Sequence, residues 1–266
     1  MAKQSFKKRR SRGSFILSLL VFLGFLFANY KAYELLVAYT TSSTTFPISR
    51  VVISGKLKYI TQEEIATTVG KLAGGKNLVS YDISLLHNAL VQMPWVSKVS
   101  VKKKMPDTIV VSLVEHFPSA RWKSSGFYDA HTNSVFYPDM RNLNLALVTL
   151  SAPHDSLAGE LYTHAYKFIE LSSKSPYIIK EVHLDAARGY RVLIDGDVWL
   201  ILGRESSPNL PLMRLQRFIL AFSQTKLKLS DVEYVDLRYD NGFAVGERPK
   251  SDEENPNEQA PARKVQ

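Results

Sequence analysis

Cysteine is absent from all 266 residues. That removes disulfide frameworks, Cys-ligated zinc or iron–sulfur centres and thiol nucleophiles. It also fits an oxidising compartment without requiring one. Catalytic and metal-binding patterns are missing too. The six histidines (His87, His116, His131, His154, His164 and His183) are dispersed, with no H-E-x-x-H spacing. No G-x-S-x-G elbow occurs, and Gly74-Gly75-Lys76-Asn77 lacks the upstream glycine and the following Ser or Thr of a phosphate loop. No catalytic, cofactor-binding or metal-binding residue is therefore assigned, no cofactor is implied, and the chain is expected not to be an enzyme. Acidic residues are absent from residues 1–14, which carry Lys3, Lys7, Lys8, Arg9, Arg10 and Arg12.

What is present starts with that basic block. The chain has a formal net charge of +9, and six of those charges sit in the first 14 residues, leaving +3 for the rest. Directly after comes an uncharged apolar run over 15–28, too short alone to cross a bilayer. Extended to Val37 it gives 23 residues, about 34 Å of helix against a hydrocarbon core of ~30 Å. Lys31 and Glu34 then fall near the far interface, where Tyr30, Tyr33 and Tyr39 form an aromatic belt and Lys31 can snorkel. A cleaved signal peptide shares the basic start, but no A-x-A site lies around 28–39. The segment therefore reads as a retained single anchor. By the positive-inside rule its basic end stays in the cytoplasm and the remainder lies outside: a single-pass, type II topology. That placement, with the nearly neutral body, argues against a nucleic-acid partner. Lys102, Lys103 and Lys104 read as a solvated hairpin or a guarded edge.

Residues 38–49 are rich in Thr and Ser and uncharged, reading as an extended stalk. A β-α-α-β-β rhythm follows. Residues 50–54 form a β-branched strand closed by Gly55, and Thr61-x-x-Glu64 is a capping box. Asp82 caps a second helix bearing Ile83, Leu86, Leu90 and Met93, stopped by Pro94. Strands over 96–103 and 108–116 complete the block. The second block reads as mostly β, with short strands near 121–123, 127–128, 135–137 and 145–150. An amphipathic helix over 155–172 has a stripe of Leu157, Leu161, Ala165, Phe168 and Ile169. A meander over 178–202 follows, then a helix opened by Pro211 and a last strand ending at Val245. The tail beyond is Pro-, Asn-, Glu- and Lys-rich, with no hydrophobic pattern.

The fragments Met93-Pro94-Trp95-Val96, Val99-x-Val101, Pro106-Asp107-Thr108 and Glu115-x-x-Pro118-x-Ala120-x-Trp122, in this order behind a basic tail and one anchor, resemble the POTRA module of the FtsQ/DivIB family of bacterial cell-division proteins, Gram-negative type. The resemblance runs to about Gly246. It implies an α+β fold of six parts: a cytoplasmic tail over 1–14, a transmembrane helix over 15–37, a stalk over 38–45, a POTRA domain over 46–122, a mostly antiparallel β domain with flanking helices over 123–247, and a disordered tail over 248–266.

The resemblance also implies a function by contact: an inner-membrane scaffold enriched at the division septum. It would recruit FtsB and FtsL, chiefly through FtsB, with FtsK, FtsW and FtsI as further divisome partners. Arg238, Tyr239, Asp240, Asn241, Gly242, Phe243, Ala244 and Val245 match the strand where the family adds a partner strand by β-augmentation. Tyr239 is the expected aromatic anchor, Asn241 and Gly242 the close backbone approach, and Arg188 a basic position for a partner carboxylate. Past Gly246, Glu247-Arg248-Pro249 stands where relatives can carry an aromatic. Lys98, Val101 and Lys103 match a POTRA recruitment surface, although alternation puts Lys98 on the strand face opposite Val101 and Lys103. Two rival readings differ in class. A POTRA-bearing assembly or secretion chaperone would carry several POTRA repeats or a membrane barrel, and a membrane-anchored periplasmic hydrolase would need a convergent nucleophile and base.

Overall fold

A helix of 30 residues, α1 (Arg12–Thr41), opens the chain in the computed structural model, which describes residues 12–42, 44–139, 143 and 145–248. Its segment Phe15–Thr41 has 27 residues and a mean hydropathy of 1.8, long and apolar enough to cross a membrane. Apolar side chains surround it on all sides, Phe15, Leu20, Phe25 and Leu35 among them, instead of forming the stripe of a helix packed on a core. Lys31 and Glu34 pair within the helix at 2.8 Å, one turn apart. The helix outruns the expected end at residue 37, so residues 38–41 of the expected stalk are helical. No Gly or Pro interrupts residues 25–46. The Thr40 and Thr41 hydroxyls donate back to the carbonyls of Leu36 and Val37, at 2.9 and 2.7 Å. The expected tail over 1–14 lies outside the described residues except for its last three positions, which begin α1.

The chain divides into two units between Glu115 and His116. In the first, β1 (Arg50–Ser54), β2 (Val96–Lys104) and β3 (Thr108–Glu115) form a sheet in the order β1-β3-β2. β1 runs parallel to β3, and β2 antiparallel to it. α2 (Gln62–Ala73) and α3 (Ile83–Val91) bury Ile65, Val69, Leu86 and Leu90 against Val101, Ile109, Val111 and Leu113. The capping box forms as the sequence indicates: the Glu64 N–H donates to Thr61 Oγ1 at 3.2 Å and the Thr61 N–H to Glu64 Oε2 at 2.9 Å. Asp82 caps α3 through the Ser84 N–H at 2.9 Å. At Gly55, with φ +147°, a side chain would collide with the Leu113 carbonyl, so the chain can leave β1 there only as glycine.

Arg50 and Asp107 tie the start of β1 to the turn before β3, with a 2.9 Å ion pair. Hydrogen bonds from Arg50, Thr108 and Ser49 hold the Asp107 carboxyl down to about 2. Because the folded value lies below the ordinary one, this contribution to stability is present above pH ~4 and is lost as pH falls through about 2. Asp107→Asn is expected to remove that acid-dependent portion, read as a smaller fall in melting temperature between pH 4 and pH 2 than the unmodified protein shows.

The second unit is a nine-stranded sheet. Its strands are β4 (Ala120–Trp122), β5 (Gly126–Asp129), β6 (Ser134–Phe136), β7 (Thr149–Ser151), β8 (Ile179–Leu184), β9 (Gly189–Ile194), β10 (Val198–Arg204), β11 (Val232–Asp236) and β12 (Ala244–Glu247). Their order is β12-β11-β10-β9-β8-β7-β4-β5-β6. Three joints are parallel: β4–β7, β7–β8, which α4 (Ala158–Ser172) connects, and β10–β11, which α5 (Leu210–Phe222) connects. Both helices bury side chains in one core, with Leu161, Phe168, Leu215 and Phe218 against Trp122, Leu150, Val182, Val192, Leu200 and Val235.

Four expectations change here. Trp122 belongs to this core, so the boundary lies before β4 and not at 122/123. The strand expected over 145–150 is only Thr149–Ser151, where it pairs with β4 and β8. Ile169 is exposed at the flank of the α4 stripe. Arg248, placed at the start of a disordered tail, is fastened: its N–H donates to the Asp231 carbonyl at 2.9 Å and its guanidinium to the Gly196 carbonyl at 2.8 Å. The rest of that tail, 249–266, lies outside the described residues.

Candidate partner-binding edge

The sequence reads as one strand through Val245, but the chain forms two strands and a loop. β11 pairs in parallel with β10, and Leu237, fully buried, still donates to the Ile201 carbonyl at 3.0 Å. There the ladder ends. The Asp236 carboxylate accepts the Arg238 N–H at 3.0 Å and the Arg238 guanidinium at 2.7 Å, folding the backbone out of line. The Arg238 contact holds the buried Asp236 carboxyl below the usual carboxylate range.

Two arginines of α5 then carry the loop. Arg217 donates to the carbonyls of Leu237 and Tyr239, each at 2.7 Å, and to that of Asp240. Arg214 donates to the Leu202 carbonyl at 2.6 Å and to the Arg238 carbonyl at 3.1 Å. These charge-assisted bonds satisfy carbonyls that a strand partner would otherwise take. The apolar stripe of this helix is plain in the sequence, but the role of Arg214 and Arg217 is not. Their only local signal is two arginines three residues apart, flanking that stripe.

The loop presents its side chains unequally. Tyr239 is 59% exposed, although its own carbonyl is held. Phe243 leans inward, packed on the core with its ring 6.3 Å from that of Phe222. A charge at Phe243 would therefore disturb packing as well as any partner contact. Gly242 has nothing within 4 Å of where a Cβ would stand, so the isolated chain does not itself require glycine there. Asp240 and Asn241 form the turn leading into β12.

Among the described residues β12 pairs only with β11, through Asp236 with Ala244 and Val235 with Val245, and it ends the sheet. The Arg248 N–H points back to the Asp231 carbonyl, just ahead of β11. With period-two alternation along β12, the N–H groups of Val245 and Glu247 point to the open edge. The Tyr234 ring covers Gly246 so closely that a Cβ there would lie inside it, and this fixes the register of the edge strand.

Arg188 sits in the β8–β9 turn with φ +67°. It lies at the same end of the sheet as the loop, since Gly189 pairs with Arg204, Ile201 with Asp236, and Asp236 with Ala244. Three strand spacings, roughly 14 Å, separate it from β12. Its guanidinium already holds Glu160, whose carboxylate also accepts the Tyr190 hydroxyl at 3.2 Å. Burial, the largest cause, together with Glu160 pushes the Tyr190 phenol far upward. Any carboxylate approaching Arg188 must share it with Glu160.

The POTRA positions do not form one patch. Lys98 is exposed beside a bulge, Val101 is 9% exposed and part of the core, and Lys103 donates its ammonium to the Val79 carbonyl at 2.8 Å. Among the described residues no group of three or more His, Asp or Glu is arranged to hold a metal ion.

Comparison with known proteins accounts for both units. Residues 46–116 match the FtsQ-type POTRA domain, and residues 120–238 match the C-terminal domain of cell division protein FtsQ/DivIB. That second match stops one residue short of Tyr239. Cell division protein FtsQ of Vibrio cholerae is 30% identical over 249 residues, covering 92% of this chain and 90% of its own. FtsQ of Escherichia coli K12 is 27% identical over 270 residues, covering 100% and 96%. FtsQ of Aliivibrio fischeri is 30% identical over 210 residues, covering 79% and 80%. With a single apolar helix preceding a POTRA domain and a β-sheet domain, and with relatives matching along nearly the whole length, the chain belongs to the FtsQ/DivIB family of cell division proteins.

Proposed function

We propose that this cell-division protein is a bitopic, non-catalytic scaffold that receives an FtsB-type partner strand on β12 and, through FtsB and FtsL, acts on the septal synthase pair FtsW and FtsI. One observation carries the reading. The sheet ends in a short strand with outward backbone donors, beside a loop whose backbone is held by Arg214 at Arg238 and by Arg217 at Tyr239, with the tyrosine side chain exposed. A partner strand gains main-chain hydrogen bonds along the edge, and Tyr239 supplies an aromatic anchor where the loop meets it. Arg188, at the same sheet end, is the position for a partner carboxylate. The basic residues of 3–12 favour a cytoplasmic N-terminus and a periplasmic POTRA and β domain, and membership of a cell-division family supports enrichment at the septum. Lys98, exposed on β2, is the POTRA position open to a further divisome protein such as FtsK.

Tyr239→Ala tests the reading. Its side chain is largely exposed, so the melting temperature is expected to hold while affinity of the full chain for the FtsB-type partner falls about 30-fold, or ~2 kcal/mol. Unchanged affinity, measured by titration of the detergent-solubilised protein, contradicts it.

A further inference from the structure

The exit of α1 is stitched to one end of the POTRA sheet. The Asn77 amide, buried, donates to the carbonyls of Thr40 and Ser42, while its oxygen accepts the Val79 and Ser80 N–H groups. The Leu78 N–H donates to the Phe46 carbonyl at 2.7 Å and the Ile48 N–H to the Lys76 carbonyl at 2.8 Å. The β2–β3 turn joins the same end, because Ser49 and Arg50 donate their N–H groups to the Asp107 carbonyl and Lys103 reaches the Val79 carbonyl. Thus the helix exit, the 76–80 loop and the tip of the β2–β3 hairpin share one level.

That level lies close to the bilayer. Counted from Phe15, about 20 residues at ~1.5 Å each fill a ~30 Å hydrocarbon core. Thr40 then stands within about 10 Å of its edge, in reach of the headgroup layer and within one Debye length of its charge. The surface presented there is basic with apolar tips. Lys76, Lys102 and Lys104 are exposed, Lys76 lying 5.5 Å over the Tyr81 ring, and Met105 and Val79 are 55% and 42% exposed. The nearby acid Asp107 is already neutralised by Arg50, leaving Asp82 as the α3 cap.

We propose that this end of the POTRA domain docks on anionic phospholipid headgroups of the leaflet from which α1 emerges, with Lys76, Lys102 and Lys104 on phosphate and Met105 at the interface. The surface is continuous with the membrane helix through Asn77, and its charge complements an anionic leaflet. Docking fixes the tilt of the domain over the membrane. The proposal rests on α1 as the span.

The lack of cysteine makes the test direct. Single-cysteine variants of the full chain, Met105→Cys, Val114→Cys and Ala28→Cys, carry an environment-sensitive fluorophore in vesicles with quencher-bearing lipids. Val114 is 56% exposed on β3 towards its far end, and Ala28 is within α1. In vesicles containing phosphatidylglycerol, quenching at 105 is expected to exceed that at 114 at least twofold, and to fall in pure phosphatidylcholine or at high salt. Adding Lys76→Gln, Lys102→Gln and Lys104→Gln is expected to lower the docked fraction, by about fivefold in the docked-to-undocked ratio per lysine. Quenching at 28 but equal, lipid-independent signals at 105 and 114 overturn the docking while leaving the span intact. No quenching at 28 overturns the span and the docking with it.

Discussion

Glu247→Pro is expected to reduce partner affinity of the full chain by 10- to 100-fold while leaving its fold in place. Proline removes one backbone donor, and by strand alternation the Glu247 N–H faces the open side of β12 and not β11. The side chain is exposed, so nothing in the core is disturbed. On an edge strand, a lost outward N–H costs the isolated molecule nothing in its own ladder. In the complex it leaves a partner carbonyl unsatisfied, worth ~1–3 kcal/mol. The informative contrast is Glu247→Ala, which keeps the donor and is expected to bind within about twofold of the unmodified protein. If both bind alike, main-chain pairing along this edge is not the source of affinity.

The largest effect on stability is expected at Trp122. Its side chain is fully buried between β4 and the helical layer, and its indole N–H donates to Asp155 at 2.8 Å. Asp155 also accepts the Tyr137 hydroxyl at 2.6 Å, and the two donors hold its carboxyl below the ordinary range. Trp122→Ala opens a cavity and orphans part of that carboxylate, for a loss of about 3–5 kcal/mol. A unit of this size should melt some 10–20 °C lower. Trp122→Phe, which keeps most of the volume but not the N–H, is expected to lose less than half of that. Urea melts followed by far-ultraviolet dichroism separate the cases, and equal losses would assign the stability to the hydrogen bond instead of the packing.

Local chemistry made much of the fold legible in the sequence. The Thr61 and Asp82 caps, the Pro94 stop and the period-two burial of β3 are short-range signals, and each element forms where they indicate. The same logic put Lys98 opposite Val101 and Lys103, as the register has it. The failures are non-local. Leu237 continues the apolar alternation of β11, so residues 232–245 read as one strand. The loop after it is created by Arg214 and Arg217, about twenty residues earlier, whose guanidinium groups take up the loop carbonyls. Likewise, Arg188 is visible as a basic residue ahead of a meander strand, but its pairing with Glu160 on α4 depends on how a crossover helix lands. Thr- and Ser-rich residues after Val37 suggest a stalk, but threonine hydroxyls bonding back to the helix carry α1 on to Thr41, and the Asn77 amide fastens its exit.

For the candidate edge, the presentation of the side chains is not legible in the sequence. Tyr239 and Phe243 look equivalent in an alternating pattern. In the structure one is exposed and the other packs near Phe222, so only Tyr239 can be changed without touching the core.

Amide hydrogen exchange along β12, measured on the full-length protein with and without the FtsB-type partner, tests the central claim most directly. Strand addition predicts that the Val245 and Glu247 amides, outward-facing in the free protein, slow at least tenfold on binding, while the Arg248 amide, already bonded to Asp231, changes little. A saturated complex in which Val245 and Glu247 exchange as fast as in the free protein would contradict it.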